Sequence, residues 1–222
     1  MPSRQWDYFM ENFFGDPYMM WHDGIDPTSV CLLEGAERDQ AELMLIESLE
    51  AGSHYAAMGL RELRSAKAVP IMKNMLSKVS ADLKIEISIA LNVIENTTEY
   101  TSYIIQILRE YPSPYVRLNA ARKLRDFPTP EVIRVLYDAV SDIDYLVRYH
   151  ACDSLLHIHG MKADISKHKD IFDLICTEHD AHGKHRTENA RVRYLEATNL
   201  LRQLFKSTST GEDTNSSEDP NL

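Results

Sequence analysis

The residues best suited to chemistry in this chain are histidines, and they fall in two places. His22-Asp23 lies inside FFGDPYMMWHDG (13–24), where an imidazole stands next to a carboxylate at the end of an aromatic run. A pair of this kind serves a metal-dependent hydrolase only if further His and Asp ligands join it from neighbouring helices. The next His-Asp pair is His179-Asp180, and no supporting spacing lies between, so Asp23-Gly24 reads as a turn. Six of the nine histidines are His157, His159, His168, His179, His182 and His185. HDAHGKH (179–185) has the spacing of a short metal-binding tract. Gly183 interrupts any helix there and no Cys or Glu stands at ligand spacing within it, whereas structural zinc sites favour thiolates. The stretch therefore reads as an exposed polar loop, with no metal expected, and His150 reads as a packed or surface residue. Cys31, Cys152 and Cys176 are odd in number and far apart, which points to reduced thiols in the cytoplasm. No Gly-rich phosphate loop, no GxSxG and no Cys–His pairing is present. The expectation is a chain with no catalytic residue and no cofactor.

Charge narrows the classes of partner. The 222 residues carry a net charge of −10, unevenly spread. Residues 1–52 hold 2 Lys/Arg against 11 Asp/Glu, a net of −9; residues 53–182 are near balance at −1; 183–206 carry +4; 207–222 carry −4. An acidic front end repels nucleic acid and attracts basic surfaces. No apolar run is long enough to span a bilayer, and the first residues, MPSRQWDYFMENFF, lack the basic start and apolar centre of a secretory leader. Neither nucleic acid nor membrane is an expected partner.

The elements that position these residues repeat. HYAAMGLREL (54–63), IEISIALNVI (85–94), VRLNAARKLR (116–125) and VRYHACDSLL (147–156) align with small residues at Ala57, Ala90, Ala121 and Cys152, spaced 33, 31 and 31. Leu60, Val93, Leu124 and Leu155 follow three positions later. A period in this range predicts stacked helix pairs, and the small residue lets paired helices approach. Second helices are predicted over KAVPIMKNML (67–76), YTSYIIQIL (100–108), PEVIRVLYDAV (130–140) and KDIFDLICTE (169–178), whose apolar positions step by three and four. Ser113 before Pro114 and Thr129 before Pro130 read as capping hydroxyls ahead of a proline at the first helical position. Asp82 and Asp144 read as early-helix acids.

The motif Val-Arg-x-x-Ala-Ala-x-x-Leu in VRLNAARKL (116–124), repeated as VRYHACDSL (147–155), resembles HEAT repeats, above all the short bacterial HEAT-like kind. The copies at 54–63 and 85–94 lack the Arg. The resemblance covers roughly residues 53–178 and implies an all-α fold, a right-handed α-solenoid of about four to five HEAT-like hairpins. It implies little about activity. Among enzymes of this architecture, deoxyhypusine hydroxylase binds iron through His-Glu dipeptides, and here no His is followed by Glu. The HEAT-like alkylpurine DNA glycosylases need a cationic groove, which a chain at −10 suits poorly. The phycobilin lyases share the repeats, but nothing in this sequence singles out a chromophore site.

Four segments follow: an aromatic N-terminal cap and turn (1–36), a HEAT-like solenoid (37–182), a C-terminal capping helix (183–206) and a disordered acidic tail (207–222). In the first, Trp6, Phe9, Phe13, Phe14, Tyr18 and Trp21 read as a hydrophobic cover for the open end of the stack. ERDQAELMLIESLEAG (37–52) reads as a further helix with Ala41, Met44, Leu45 and Leu49 on one side and Gly52 stopping it. TENARVRYLEATNLLRQLF (187–205) places Ala190, Tyr194, Ala197, Leu201 and Leu204 on one stripe, with Arg191, Arg193 and Arg202 solvated or paired with acids.

With no catalytic signature, the chain reads as a binding protein whose partner is another protein. In HEAT repeats the second helices usually line the concave face. That resemblance makes Lys73 and Asn74, Gln106 and Glu110, and Arg134, Tyr137 and Asp138 the expected contact residues. The sharper expectation is an immunity protein that blocks a basic bacterial toxin. It rests on the −9 front end and on the likeness of MWHDG (20–24) and ERDQAELMLIESL (37–49) to the openings of small bacterial HEAT-like proteins, some of which sit beside polymorphic toxins. The competing expectations are a metalloprotein or enzyme that uses the His-rich region, and a tetrapyrrole-handling protein.

Overall fold

A computed structural model describes residues 2–176 and 184–209, with side chains for 2–176 and 190–207. The described residues are helical and include no strand. The chain forms two compact units, Met1–Ile104 and Ile105–Leu222.

In the first unit, α1 (Arg4–Phe14) starts on a Ser3 hydroxyl that accepts from Trp6 N. It ends at Gly15, where a Cβ would overlap the Glu11 carbonyl oxygen. A short α2 (Pro17–Asp23) and a 3₁₀ turn (Pro27–Leu32) lead into α3 (Gly35–Glu50). Gly52, at φ +99°, turns the chain out of α3. The first hairpin is α4 (His54–Leu63) and α5 (Val69–Met75); α6 (Ala81–Glu95) begins the next and packs along α4. The core joins Phe9 and Phe13 of α1, Ala41, Leu45 and Leu49 of α3, Ala57 and Leu60 of α4, and Ala90 and Leu91 of α6. Gly59 is what lets α1 reach α4, because the Phe13 ring lies where a side chain would start.

The division between the units falls within α7 (Thr101–Glu110). The second unit continues with the hairpin α8 (Pro114–Leu124) and α9 (Pro130–Ala139), then α10 (Tyr145–Ile158), α11 (Lys169–Ile175) and the long α12 (Lys184–Ser209). α8 packs along α10, as α4 does along α6. The aligned small residues Ala57, Ala90, Ala121 and Cys152 are all fully buried. At the α8–α10 contact the Ser154 hydroxyl donates to the Ala121 carbonyl at 2.9 Å, which requires near approach of the two backbones. α11 packs on α12, and Ala190, Tyr194, Ala197 and Leu201 are buried there.

Several local expectations are corrected. Thr129 caps α9 by accepting from Val132 N at 3.2 Å, but the Ser113 hydroxyl makes no cap bond. The start of α8 is held instead by Arg117, whose guanidinium binds the carbonyls of Tyr111 and Pro112. The aromatic cover divides. Phe9 and Phe13 are buried and Trp6 packs against them, whereas Phe14, edge-on to Phe9, keeps one side in water, and Tyr18 and Trp21 face solvent because the chain turns at Gly15 and carries α2 off the core. Residues 207–209 complete α12, where a disordered tail was expected to begin; the rest of that stretch lies outside the described residues.

Candidate functional site

The expected contact residues of the first unit sit on α5. Lys73 Nζ is 2.7 Å from Glu95 Oε1 and 5.9 Å from the centre of the Tyr100 ring, and the Tyr100 hydroxyl donates to Glu95 Oε2 at 2.6 Å. The bond from Lys73 holds the Glu95 carboxyl below its ordinary range, helped by Tyr100. Glu95 in turn raises Lys73. Burial, then Glu95, raises Tyr100. All three shifts point away from neutrality, so the cluster is an ion-pair network and is not poised for proton transfer near pH 7. Asn74 accepts from Lys78 Nζ at 2.7 Å and lines an open cleft of about 360 Å³ with Glu50, Pro70, Ile71 and Met75.

In the second unit the structure brings two expected residues together: Gln106 Nε2 donates to Glu110 Oε2 at 3.0 Å along α7. Arg134 pairs with Glu131 one turn back at 3.4 Å, and Asp138 is exposed. Tyr137 is covered on one side. It is half-buried beneath Arg202, whose guanidinium carbon lies 4.9 Å from the ring centre, and burial raises its pKa. Arg202 therefore stacks on an aromatic ring instead of pairing with an acid, and Arg193 donates to the Asp173 carbonyl at 3.2 Å.

The described histidines do not converge. His22 Nδ1 lies 2.6 Å from Asp23 Oδ1 on an exposed surface. His159 is exposed on one side and lies flat on Phe205 on the other, with ring centroids 3.9 Å apart and 12° between planes, and this partial burial lowers its pKa. His150 is lowered by burial and then by Arg122. Among the described residues no group of three or more His, Cys, Asp or Glu is arranged to hold a metal ion; the side chains of His179, His182 and His185 lie outside those residues. Cys152 is fully buried, and burial raises its thiol well above the ordinary value, which leaves it inert.

The residues that sequence reasoning undervalued are the two arginines of the repeated Val-Arg. Arg148 is fully buried and Arg117 nearly so. Arg117 Nη1 takes the carbonyls six and five residues before it, those of Tyr111 and Pro112, at 2.8 and 3.0 Å. Arg148 Nη1 does the same with Asp142 and Ile143, at 2.8 and 3.0 Å. Arg148 Nε reaches forward to the Ile175 carbonyl at 2.8 Å, and its guanidinium carbon is 4.4 Å from the Tyr194 ring centre. The signal was a charge fixed at one motif position with the same step of 31 as the small residue. Glu86 occupies that position in the preceding copy, with Arg61 Nη1 3.6 Å away.

Residues 101–171, from α7 to the start of α11, match the family model of HEAT repeats. These helices are HEAT-like repeats. Together with the all-helical build, the match is consistent with an α-solenoid. HEAT repeats generally mediate protein–protein interaction, which agrees with a stack whose recurring motif positions, Arg117, Ala121 and Leu124, are all spent on packing. No helix among the described residues is long and apolar enough to cross a membrane. No curated protein and no solved structure matches the chain.

Proposed function

We propose that this chain is a non-enzymatic, cytoplasmic protein-binding module of HEAT type whose partner is a basic protein, in the sharper form a cognate bacterial toxin that it binds and blocks. The observation that supports this best is the division of labour in the repeats. The motif residues are buried, while Lys73, Asn74, Gln106, Glu110, Arg134 and Asp138 are exposed on the second helices, where Gln106, Glu110 and Arg134 pair within their own helix and Lys73 pairs with Glu95 of α6. Those positions can vary without disturbing the stack, which suits recognition. The front-end charge of −9 over residues 1–52 supports a basic partner, since complementary potentials speed encounter and raise salt sensitivity.

The neighbouring open reading frame, expressed alone and together with this chain, tests the sharper form. Growth arrest relieved by this chain and restored by a Lys73→Ala/Gln106→Ala/Arg134→Ala variant is the expected result. A neighbour that is harmless, or whose harm this chain does not relieve, removes the toxin reading. Relief that persists in the triple variant moves the contact away from the second helices.

A further inference from the structure

Helix α2 carries Tyr18, Met19, Met20 and Trp21 in seven residues and buries none of them. Trp21 is 73% exposed, Tyr18 63% and Met19 50%; the Phe14 ring, at the end of α1, is exposed beside them in sequence. Large apolar side chains stabilise a fold by leaving water, and these have not left it. Phe9 and Phe13, only a few residues earlier, are fully or nearly buried and serve the core.

The rings form an organised cluster. Tyr18 and His22 stack at 5.6 Å with 19° between planes, and Trp21 lies 6.2 Å from Tyr18 and 6.5 Å from His22. Their support is anchored through groups other than the rings. The Asp16 carboxylate accepts from Tyr18 N and Met19 N at 2.9 and 3.0 Å, and the Tyr55 hydroxyl of α4 donates to the Met20 carbonyl at 3.2 Å. A pre-positioned Trp, Tyr and Met cluster loses little freedom on binding, and such residues dominate interface energies.

Charge identifies what would cover it. From residue 5 to residue 37 the sequence has no Lys or Arg, while Asp7, Glu11, Asp16 and Asp23 stand exposed on or beside α1 and α2. Carboxylates around aromatic faces favour cations both by field and by cation–π attraction. Nucleic acid and anionic membranes are repelled, and so is the chain's own 207–222 stretch, which holds four acids and no base.

We propose that the exposed face of α2 is a docking surface for a basic protein, with Trp21 entering an apolar pocket on the partner and Lys or Arg side chains around that pocket meeting Asp16, Asp23 and Glu11. This rests on the protein-binding reading and adds where the contact is made and what chemistry meets it.

The test pans a random-peptide display library against the immobilised full chain. The retained peptides are then titrated against the wild type, Trp21→Ala, Tyr18→Ala and a Lys73→Ala/Arg134→Ala variant. Retained peptides should pair Lys or Arg with a large apolar residue. They should bind Trp21→Ala about tenfold or more weakly and bind the wild type more weakly as salt rises. Because these side chains lie outside the core, Trp21→Ala should keep the wild-type melting temperature. The proposal is overturned if nothing is retained, if the retained peptides lack cations, or if they bind Trp21→Ala as they bind the wild type. Peptides that ignore Trp21→Ala but fail on the second-helix variant overturn the α2 surface and leave the protein-binding reading standing. Sedimentation showing self-association lost in Trp21→Ala assigns the surface to a second copy, and retention on phosphatidylcholine vesicles lost in Trp21→Ala assigns it to a lipid surface; either result overturns the proposal.

Discussion

Arg117 holds Asp142 with two parallel hydrogen bonds, Nε to Oδ2 at 3.0 Å and Nη2 to Oδ1 at 2.8 Å, across a separation of 25 residues. The same Asp142 offers its carbonyl oxygen to Arg148. One residue in the turn after α9 thus serves the arginine of its own repeat through the side chain and the arginine of the next repeat through the backbone. The two rungs are joined at Asp142, and this fixes the step between α8 and α10. The pairing raises the pKa of Arg117, while burial draws that of Arg148 down.

Removing one end of this clasp should be costly. Arg117→Ala takes the guanidinium from a half-buried carboxylate, which keeps only the Asp144 N–H, and from two carbonyls, and the expected loss is about 3 kcal/mol. Arg117→Lys should recover only part of it, because an ammonium cannot make the fork. Urea unfolding reads both; a loss under about 0.5 kcal/mol for the alanine variant would show that the ladder does not hold the repeats together.

Gly59→Ala tests the fit of α1 on α4. A Cβ there would lie 2.7 Å from Phe13 Cε1 and Cζ and 3.0 Å from Leu45 Cδ1. Helix propensity alone favours alanine by about 1 kcal/mol, but overpacking costs about 1–3 kcal/mol. The variant should melt at a lower temperature than wild type. In a Phe13→Leu background the sign should reverse, and an unchanged sign there would mean that the ring is not what Gly59 accommodates.

Acid should unfold the second unit partly through His159. Partial burial against Phe205 lowers its pKa in the folded state, although its outer side faces water, while the unfolded chain keeps the ordinary 6.5. As pH falls below 6.5 the unfolded chain binds the proton first, so stability is full above that value and declines down towards the folded one. His150, lowered by burial and by Arg122, adds to the same slope. Melting temperature followed against pH should therefore fall less steeply in His159→Asn than in wild type; parallel curves would exclude the stacked ring as a cause.

Asp153 acts in the opposite sense. Burial raises its pKa although its Oδ1 accepts from Ile165 N at 2.8 Å. The folded state then holds the proton more tightly, and stability falls as pH rises from 3.8 through the raised value. Asp153→Asn keeps an acceptor for Ile165 N without the charge. It should melt higher than wild type at neutral pH, with the gain vanishing below 3.8; a lower melting temperature at neutral pH would mean that the ionised form is stabilised by its surroundings.

The repeats were legible because stacking imposes a period on residue size. Ala57, Ala90, Ala121 and Cys152 are small where helices touch, and all four are buried. The apolar stripe of α12 was legible for the same reason, since Ala190, Tyr194, Ala197 and Leu201 step by three and four. The burial of Arg117 and Arg148 was not, because a charged residue in a helix normally faces water, and the carbonyls that receive these side chains belong to turns whose approach only the folded backbone sets. The exposure of Tyr18 and Trp21 was hidden for the converse reason. Residue type alone assigns them to a core, and nothing in their types shows that Gly15 turns them outward. Tyr137 was read from helical position alone, which takes no account of Arg202 arriving from 65 residues further along the chain.

Tyr194 has a consequence for how the last described hairpin is covered. It lies over the Arg148 guanidinium on the side where α12 packs against α11. α12 covers that side of α11 and takes Ala190, Tyr194, Ala197 and Leu201 out of water. A chain shortened before residue 184 would leave the apolar side of α11 and the Arg148 guanidinium uncovered, and self-association through that flank is the expected result.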